Sequence, residues 1–283
     1  MQMIKLTECP RDAMQGWSTF IPTQTKVDYI NKLLEVGFDT IDFGSFVSPK
    51  AIPQLADTKE VIGQLKMSSS KLLAIIANAR GAEDAVQYDE ITYLGFPFSI
   101  SETFQQLNTN SSIAESLNRV EAIQQLCVQH KKQLLVYISM GFGNPYGDAY
   151  NADIATHWVD QLQKLGVQIF AISDTVGVSD PGNIQSVFSS LTAAFPALEF
   201  GAHFHSTKES AGEKIEAALK SKCFRYDSAL GGIGGCPMAQ NELVGNLATE
   251  KLLEVLASHG YEAGLNHIAL LEAQSMASSI FHP

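Results

Sequence analysis

The sequence has few cysteines and none of the spacings that form a redox or zinc motif. Its four cysteines lie at positions 9, 127, 223 and 236, and no CxxC occurs. Scattered cysteines without a disulfide framework are typical of a reducing compartment. The N-terminal stretch MQMIKLTECPRD also lacks a basic segment followed by a long apolar run. We therefore predict a cytoplasmic protein without a signal peptide.

Long apolar runs and an excess of basic residues are missing as well. No run reaches the roughly 18 apolar residues that a membrane-spanning helix needs, so we expect no membrane partner. Thirty acidic residues against 19 basic ones give a formal net charge of -11. A field of that sign repels phosphate backbones, so we expect no nucleic-acid partner. The 283 residues, 45% of them hydrophobic, suffice for one large α/β barrel or for two smaller domains.

What the sequence does contain is an apolar, strand-like run that recurs eight times and alternates with helix-like segments. The eight runs lie at 4–8, 40–44, 71–77, 90–96, 133–139, 168–173, 198–204 and 223–229. Four of the intervening segments carry apolar residues at helical spacing, with polar N-caps or closing glycines, at 23–37, 111–132, 151–166 and 180–195. Strict alternation of this kind predicts a parallel sheet.

Eight such units favour a (β/α)8 TIM barrel over an open, doubly wound sheet. A Rossmann sheet would also need a glycine fingerprint after the first strand, and IKLTECPRDAMQG offers none. The pattern predicts a single TIM-barrel catalytic domain over residues 1–283. Residues 263–280 are predicted to form an additional C-terminal helix.

Ionisable residues follow the predicted strands at the end where a TIM barrel carries its active site. Arg11 and Asp12 follow the first strand, Asp42 lies on the second, and a glycine-rich segment with Cys236 follows the eighth. Arg11 and Asp12 could form an ordinary ion pair, but an arginine placed there can also stabilise a developing oxyanion. We take Cys236 as a candidate catalyst because glycine-rich loops approach ligands closely, and the other three cysteines as structural.

The stretch GAHFHST places His203 and His205 two residues apart, so that both imidazoles project to the same side of a strand. This arrangement suits two ligands of one divalent cation, with oxygen ligands from Asp12 and Asn246. Taken alone, the pair is more typical of two half-buried histidines at a strand end. Its position across the barrel from Arg11 and Asp12 favours a metal site.

Five stretches together resemble a known family: IKLTECPRDAMQ, IDFGSFVSPKAIPQ, ISDTVGVSDPGNI, GAHFHST and GIGGCPMAQNELVGNLATEKL. They are similar to the 3-hydroxy-3-methylglutaryl-CoA lyases, which belong to the DRE-TIM metallolyase group. The similarity runs from residue 4 to about residue 260. It implies cleavage of 3-hydroxy-3-methylglutaryl-CoA to acetoacetate and acetyl-CoA, with Mg²⁺ or Mn²⁺ as cofactor and an acyl-CoA as partner. Apart from the resemblance, we expect a homodimer.

The resemblance also implies roles for individual residues. The implied metal ligands are Asp12, His203, His205 and Asn246. The implied catalytic set is Arg11, Asp12, Asp42, His203, Cys236 and Glu250. Within that set, Arg11 would bind the thioester oxygen and stabilise the enolate, and Cys236 would take part in proton transfer. Arg11 and Gln15 of the same motif are expected to bind substrate, and Asn108 is a candidate for a coenzyme A contact.

Some positions depart from the family pattern. Ala13 stands where the family has glycine, Asp42 where it has glutamate, and Ser206 where it has aspartate. The spacing from Cys236 to Asn246 is one residue longer. These differences leave two alternatives open: a related lyase or Claisen-type or aldol enzyme of the group acting on another hydroxyacyl-CoA or keto acid, and a barrel that binds metal or acyl-CoA without turnover.

Overall fold

A computed structural model describes residues 3–235 and 244–281 and arranges them around a closed barrel of parallel strands. The barrel strands are β1 (Lys5–Glu8), β2 (Thr40–Ser45), β3 (Lys71–Ile75), β4 (Ile91–Ser99), β5 (Gln133–Ser139), β6 (Ile169–Asp174), β7 (Glu199–Ser206) and β8 (Arg225–Ser228). Each pairs with its neighbours in chain order, and β1 pairs with β8 to close the ring. A short strand β9 (Gly245–Asn246) runs antiparallel to the end of β7.

Helices surround this barrel. They are α1 (Pro10–Gln15), α2 (Thr23–Val36), α3 (Thr58–Ile62), α4 (Ala79–Ala85), α5 (Glu102–Thr109), α6 (Ile113–Gln129), α7 (Ala152–Lys164), α8 (Pro181–Ala194), α9 (Ala211–Lys220), α10 (Thr249–Ser258) and α11 (His267–Phe281). Each of the eight predicted apolar runs overlaps one barrel strand, and α11 lies in the predicted C-terminal segment. The TIM barrel with an additional C-terminal helix is therefore confirmed.

The sequence signals for helix ends act through identifiable contacts. Gly37 ends α2 in the left-handed conformation, at φ +87°, which a residue without Cβ adopts at little cost. Ser112 begins α6 with a capping box: its side chain accepts from the backbone N–H of Glu115, whose carboxylate accepts from the N–H of Ser112. Asp180 caps α8, and Pro181 occupies the first turn.

Apolar side chains form two layers. The larger layer packs the helices against the outside of the barrel and includes Leu33 and Val120, both fully buried. The smaller layer fills the barrel interior with side chains from β3 to β6, among them Leu135 and Tyr137. A TIM barrel carries its active site above such a packed interior, at the upper ends of the strands.

Three cysteines lie within the described residues, at positions 9, 127 and 223, and all are buried and free. Burial raises the pKa of each thiol, to about 12 for Cys127 and Cys223, which makes them unreactive. This agrees with the structural role predicted for them. No helix among the described residues is long and apolar enough to cross a membrane.

Candidate active site

A cavity of about 430 Å³ opens where the barrel strands end. Its polar wall carries side chains that follow β1 or end β5, β6 and β7, among them Arg11, Ser139 and His203. The apolar part of the lining consists of Val47, Ala51, Ile52, Ile75, Ala77, Pro97, Phe104 and Leu107. The cavity thus combines ionisable groups with a surface for apolar substrate atoms.

Asp12, His203 and His205 meet on the polar side. One ligand atom from each residue lies within 4.8 Å of the other two, and within the described residues this is the group that could hold a metal ion. Asp12 lies on α1 directly after β1, whereas the histidines lie on β7. The structure therefore brings together residues that are almost 200 positions apart in the sequence.

Each histidine is oriented through its Nδ1 atom. His203 Nδ1 lies 3.1 Å from Oδ2 of Asp227, and His205 Nδ1 lies 2.8 Å from the backbone oxygen of Thr175. A backbone carbonyl only accepts, so His205 carries its proton on Nδ1 and its Nε2 is an acceptor. That Nε2 is buried and has no hydrogen-bond partner among residues 3–235 and 244–281. A buried acceptor without a donor is costly unless a cation or a donor faces it.

Arg11 is held by the acidic groups around it. Its Nε and Nη2 donate to Asp42 at 3.0 and 2.6 Å, and its Nη1 donates to Asp12 at 2.8 Å and to Gln15 at 2.8 Å. Gln15 in turn donates to Asp12 at 2.7 Å. Because the forked contact with Asp42 fixes the plane of the guanidinium, Arg11 faces the cavity in one orientation.

Burial and these neighbours shift the pKa values in opposite directions. Burial raises the pKa of Asp42 to about 6 despite its contact with Arg11. Burial would also raise the pKa of Asp12, but Arg11 and the two histidines outweigh it and hold that pKa below its usual range. Burial lowers the pKa of His205, and the positive charge of His203 lowers it further. At His203 the contact with Asp227 overcomes burial and raises the pKa.

Asn246 reaches the same cluster from β9. Its register opposite His205 places it beside the triad, and its amide nitrogen donates to Asp12 Oδ2 at 2.8 Å and to the backbone oxygen of Ile233 at 2.9 Å. Gly234, at φ +98°, lies so close that a Cβ there would meet Asn246 Nδ2 and the backbone oxygen of Asp12, both at 2.7 Å. The glycine-rich segment thus packs directly on the metal-ligand candidates.

The chain matches the HMGL-like family model over residues 3–277. It is 32% identical over 276 residues to the cytoplasmic 3-hydroxy-3-methylglutaryl-CoA lyase of Rattus norvegicus, a match that covers 96% of this chain and 79% of the relative. The chain belongs to the hydroxymethylglutaryl-CoA lyase (HMGL-like) family. A Pseudomonas aeruginosa relative, a 3-hydroxy-3-isohexenylglutaryl-CoA/hydroxymethylglutaryl-CoA lyase, is 32% identical over 95% of this chain and 90% of its own.

A solved HMG-CoA lyase from Acinetobacter baumannii, in complex with coenzyme A and 3-methylmalate, superposes with a TM-score of 0.91. Its sequence is 30% identical, and the match covers 99% of this chain and 91% of that one. The resemblance inferred from the five sequence stretches is thereby confirmed. The roles of individual residues stay predictions. The structure of this HMGL-like chain shows where those among the described residues lie.

Several predicted residues line the cavity, and others do not. Gln15 and Asn108 both do, Asn108 from the exposed end of α5 at the cavity mouth. Glu250 lies outside the lining residues and accepts from the backbone N–H of Gly231 at 3.0 Å. Asp42 contacts Arg11 rather than the triad. Cys236 lies outside the described residues.

The sequence did not single out three buried residues that support this site in the HMGL-like barrel. Asp227 contacts His203. Lys214 lies 2.6 Å from Asp174 and also donates to the backbone oxygen of His205 at 3.0 Å. Tyr137 packs its ring against that of His203, with centroids 5.3 Å apart. A signal existed for Asp227, because it is a charged residue within a run predicted to be a buried strand.

Proposed function

We propose that the protein is a divalent-metal-dependent lyase that cleaves 3-hydroxy-3-methylglutaryl-CoA to acetoacetate and acetyl-CoA. The observation that carries the proposal is the cluster of Asp12, His203 and His205 beside Arg11, at the mouth of a barrel of the HMGL-like family. The solved relative that holds coenzyme A supports an acyl-CoA as the partner. Residues 1–283 would act as one catalytic domain.

The residues present fit a divalent cation. In the part of the chain that the structure describes, His205 Nε2 is a buried acceptor without a donor, and the pKa of Asp12 is held low, so that its carboxylate is ionised. Two imidazoles with a carboxylate and an amide oxygen form a donor set for Mn²⁺ or Mg²⁺. Asp12, His203, His205 and Asn246 would hold it. When bound, such a cation lowers the pKa of a coordinated hydroxyl group and orients it.

Cleavage breaks the bond between C2 and C3 of the substrate. The C3 hydroxyl loses its proton, C3 becomes the ketone carbon of acetoacetate, and the bonding electron pair moves to C2 as the enolate of acetyl-CoA. Arg11 would donate to the thioester oxygen, on which the enolate charge develops. Asp42 would hold Arg11 in the required plane, since two of the guanidinium contacts go to it.

The enolate carbon then takes up a proton to give acetyl-CoA, which balances the proton lost by the hydroxyl group. Cys236 is the proposed donor, from the segment that follows Gly235. Glu250 would act by holding the start of that segment through Gly231. Gln15 and Asn108 would contact the substrate. Gln15 is hydrogen-bonded to both Arg11 and Asp12, and Asn108 lines the cavity.

The test is an assay of purified protein with 3-hydroxy-3-methylglutaryl-CoA. We expect acetyl-CoA and acetoacetate in equal amounts with Mg²⁺ or Mn²⁺, loss of both after chelation, and recovery when the metal is returned. A protein that binds Mn²⁺ but releases no acetyl-CoA with either metal would contradict the proposal and favour a non-catalytic acyl-CoA-binding barrel.

The apolar cavity wall supports a second candidate substrate class. Eight apolar residues line the same cavity of about 430 Å³ as the polar cluster, and the Pseudomonas relative is named for a longer 3-substituent as well as for methyl. A 3-hydroxy-3-alkylglutaryl-CoA could place its alkyl chain on this wall. Comparing kcat/KM for the methyl and longer-chain substrates separates the two classes.

Location in the cytoplasm and assembly as a homodimer are part of the proposal.

A further inference from the structure

Asp227 is a buried carboxylate whose position is set by the barrel itself. Parallel pairing of β7 with β8 puts residue 203 directly beside residue 227, and their side chains are in contact. The side chain of Asp227 is 2% exposed. Within the described residues, its hydrogen-bond partner is His203 Nδ1, at 3.1 Å. Among the described residues, this carboxylate therefore hydrogen-bonds the imidazole and is not shared with a helix cap or a loop.

This contact decides which nitrogen of His203 is free. A carboxylate accepts hydrogen bonds, so the neutral imidazole places its proton on Nδ1 and leaves the Nε2 lone pair for another partner. The ring of Tyr137 packs edge-to-face against His203, at an interplanar angle of 83°, and limits rotation of the imidazole. Because Nδ1 faces Asp227, Nε2 is the nitrogen that His203 has left for the cluster with Asp12 and His205.

The two histidines differ in the group that orients their imidazole rings. His205 is oriented by the backbone oxygen of Thr175, which no side-chain substitution removes, whereas His203 depends on the side chain of Asp227. A carboxylate behind a ligating imidazole fixes the tautomer and makes the imidazole a stronger donor to the cation. Removal of such a partner usually costs about 10–100-fold in metal affinity.

We propose that Asp227 is a positioning residue that orients His203 for binding of the divalent cation. The inference deepens the proposed function and rests on it for the metal site, but it concerns binding of the metal and not the choice of substrate. Asp227 does not need to contact the substrate, and it is absent from the residues that line the described cavity. Its effect is exerted through His203.

The test is Mn²⁺ binding, measured calorimetrically in the absence of substrate. We expect Asp227→Ala to raise the Mn²⁺ dissociation constant by about 10–100-fold. Asp227→Asn keeps an accepting oxygen but loses the charge, so we expect a smaller increase and turnover that recovers at high Mn²⁺ concentration. Wild-type Mn²⁺ affinity in both variants would overturn the proposal, even if their acetyl-CoA release were reduced.

A matched control separates positioning from folding. Asp57 is also a buried aspartate in an ion pair, 2.7 Å from Lys26, and lies outside the cavity lining. We expect Asp57→Asn to lower Tm but to leave the Mn²⁺ dissociation constant unchanged. If Asp227→Ala fails to fold, the isosteric Asp227→Asn decides: lowered Tm with unchanged Mn²⁺ affinity means a purely structural role and contradicts the proposal. Because no substrate is present, this result is independent of whether 3-hydroxy-3-methylglutaryl-CoA is cleaved.

Discussion

Arg11 shows how single residues are constrained at this site. Its guanidinium is buried between Asp42, Asp12 and Gln15, and contacts to these three residues occupy all three of its nitrogens. A planar group with five N–H donors can satisfy these neighbours and still offer a donor to the cavity. An ammonium group with three donors at one point cannot reproduce the forked contact with Asp42.

We therefore expect Arg11→Lys to lose activity although it keeps the charge. The loss in kcat should be about 10²–10³-fold, the usual effect of removing one donor from an oxyanion site. Mn²⁺ affinity should stay within a few-fold of wild type, because the charge beside Asp12 is retained. Steady-state kinetics and Mn²⁺ titration on the same preparation check this. Equal losses of turnover and of Mn²⁺ affinity would mean that Arg11 mainly positions Asp12.

Residues that carry the site were predictable from the sequence where strand order alone brings them together. Arg11, Asp12 and His203 follow or lie on strands whose upper ends meet in any TIM barrel. Asp227 was not predicted, because its contact with His203 depends on the register between β7 and β8. Register reflects strand tilt and stagger around the whole barrel, which a local apolar pattern does not reveal.

At the scale of elements, Gly234 of the glycine-rich segment after β8 packs on α1 and β9 without room for a side chain. Gly234 has φ +98°, and a Cβ there would also lie 2.9 Å from the Cα of Ala13. Apolar periodicity predicted the eight strands and the major helices, but not β9, since two residues are too short to show a pattern. Asn246 is nevertheless placed on the site by that strand.

Gly234→Ala should disturb the site through this contact. We expect it to displace Asn246 from Asp12 and to lower both Mn²⁺ affinity and turnover. Gly37→Ala is the matched control, because Gly37 has a similar φ of +87° but a Cβ added there would meet no atom within 4 Å. Each variant should lose about 1–2 kcal/mol of stability from backbone strain. Wild-type kinetics and Mn²⁺ binding in Gly234→Ala would contradict the close packing.

At the scale of the whole molecule, Glu8 joins the first strand to the last part of the barrel. Its carboxylate accepts from the backbone N–H of Leu230 at 2.7 Å and from Thr249 Oγ1 at 2.6 Å. These contacts reinforce the pairing of β1 with β8 that closes the ring. Burial raises the pKa of Glu8 to about 8, despite the hydrogen bonds from Thr249 and Leu230 that lower it. Barrel closure is thus coupled to a protonation equilibrium near neutral pH.

This coupling predicts a pH-dependent stability that Glu8→Gln removes. The pKa of Glu8 rises from 4.5 to about 8 on folding, so the folded chain retains a proton that the unfolded chain releases between these values. The stability that protonated Glu8 contributes is complete below the unfolded pKa and is lost as pH rises through the folded pKa, by at most about 1.4 kcal/mol per pH unit.

Urea unfolding of the wild type and of Glu8→Gln at about pH 5.5 and about pH 8.5 measures how the free energy of unfolding of each depends on pH. Asp42, whose pKa is also raised, contributes the same pH dependence to the free energy of unfolding of both proteins. The difference between the two free energies therefore reports on Glu8 alone. We expect the free energy of unfolding of the wild type to fall relative to Glu8→Gln as pH rises. If the two free energies of unfolding instead change equally with pH, Glu8 is ionised in the folded protein throughout this range. The barrel then closes around a carboxylate held by Leu230 and Thr249.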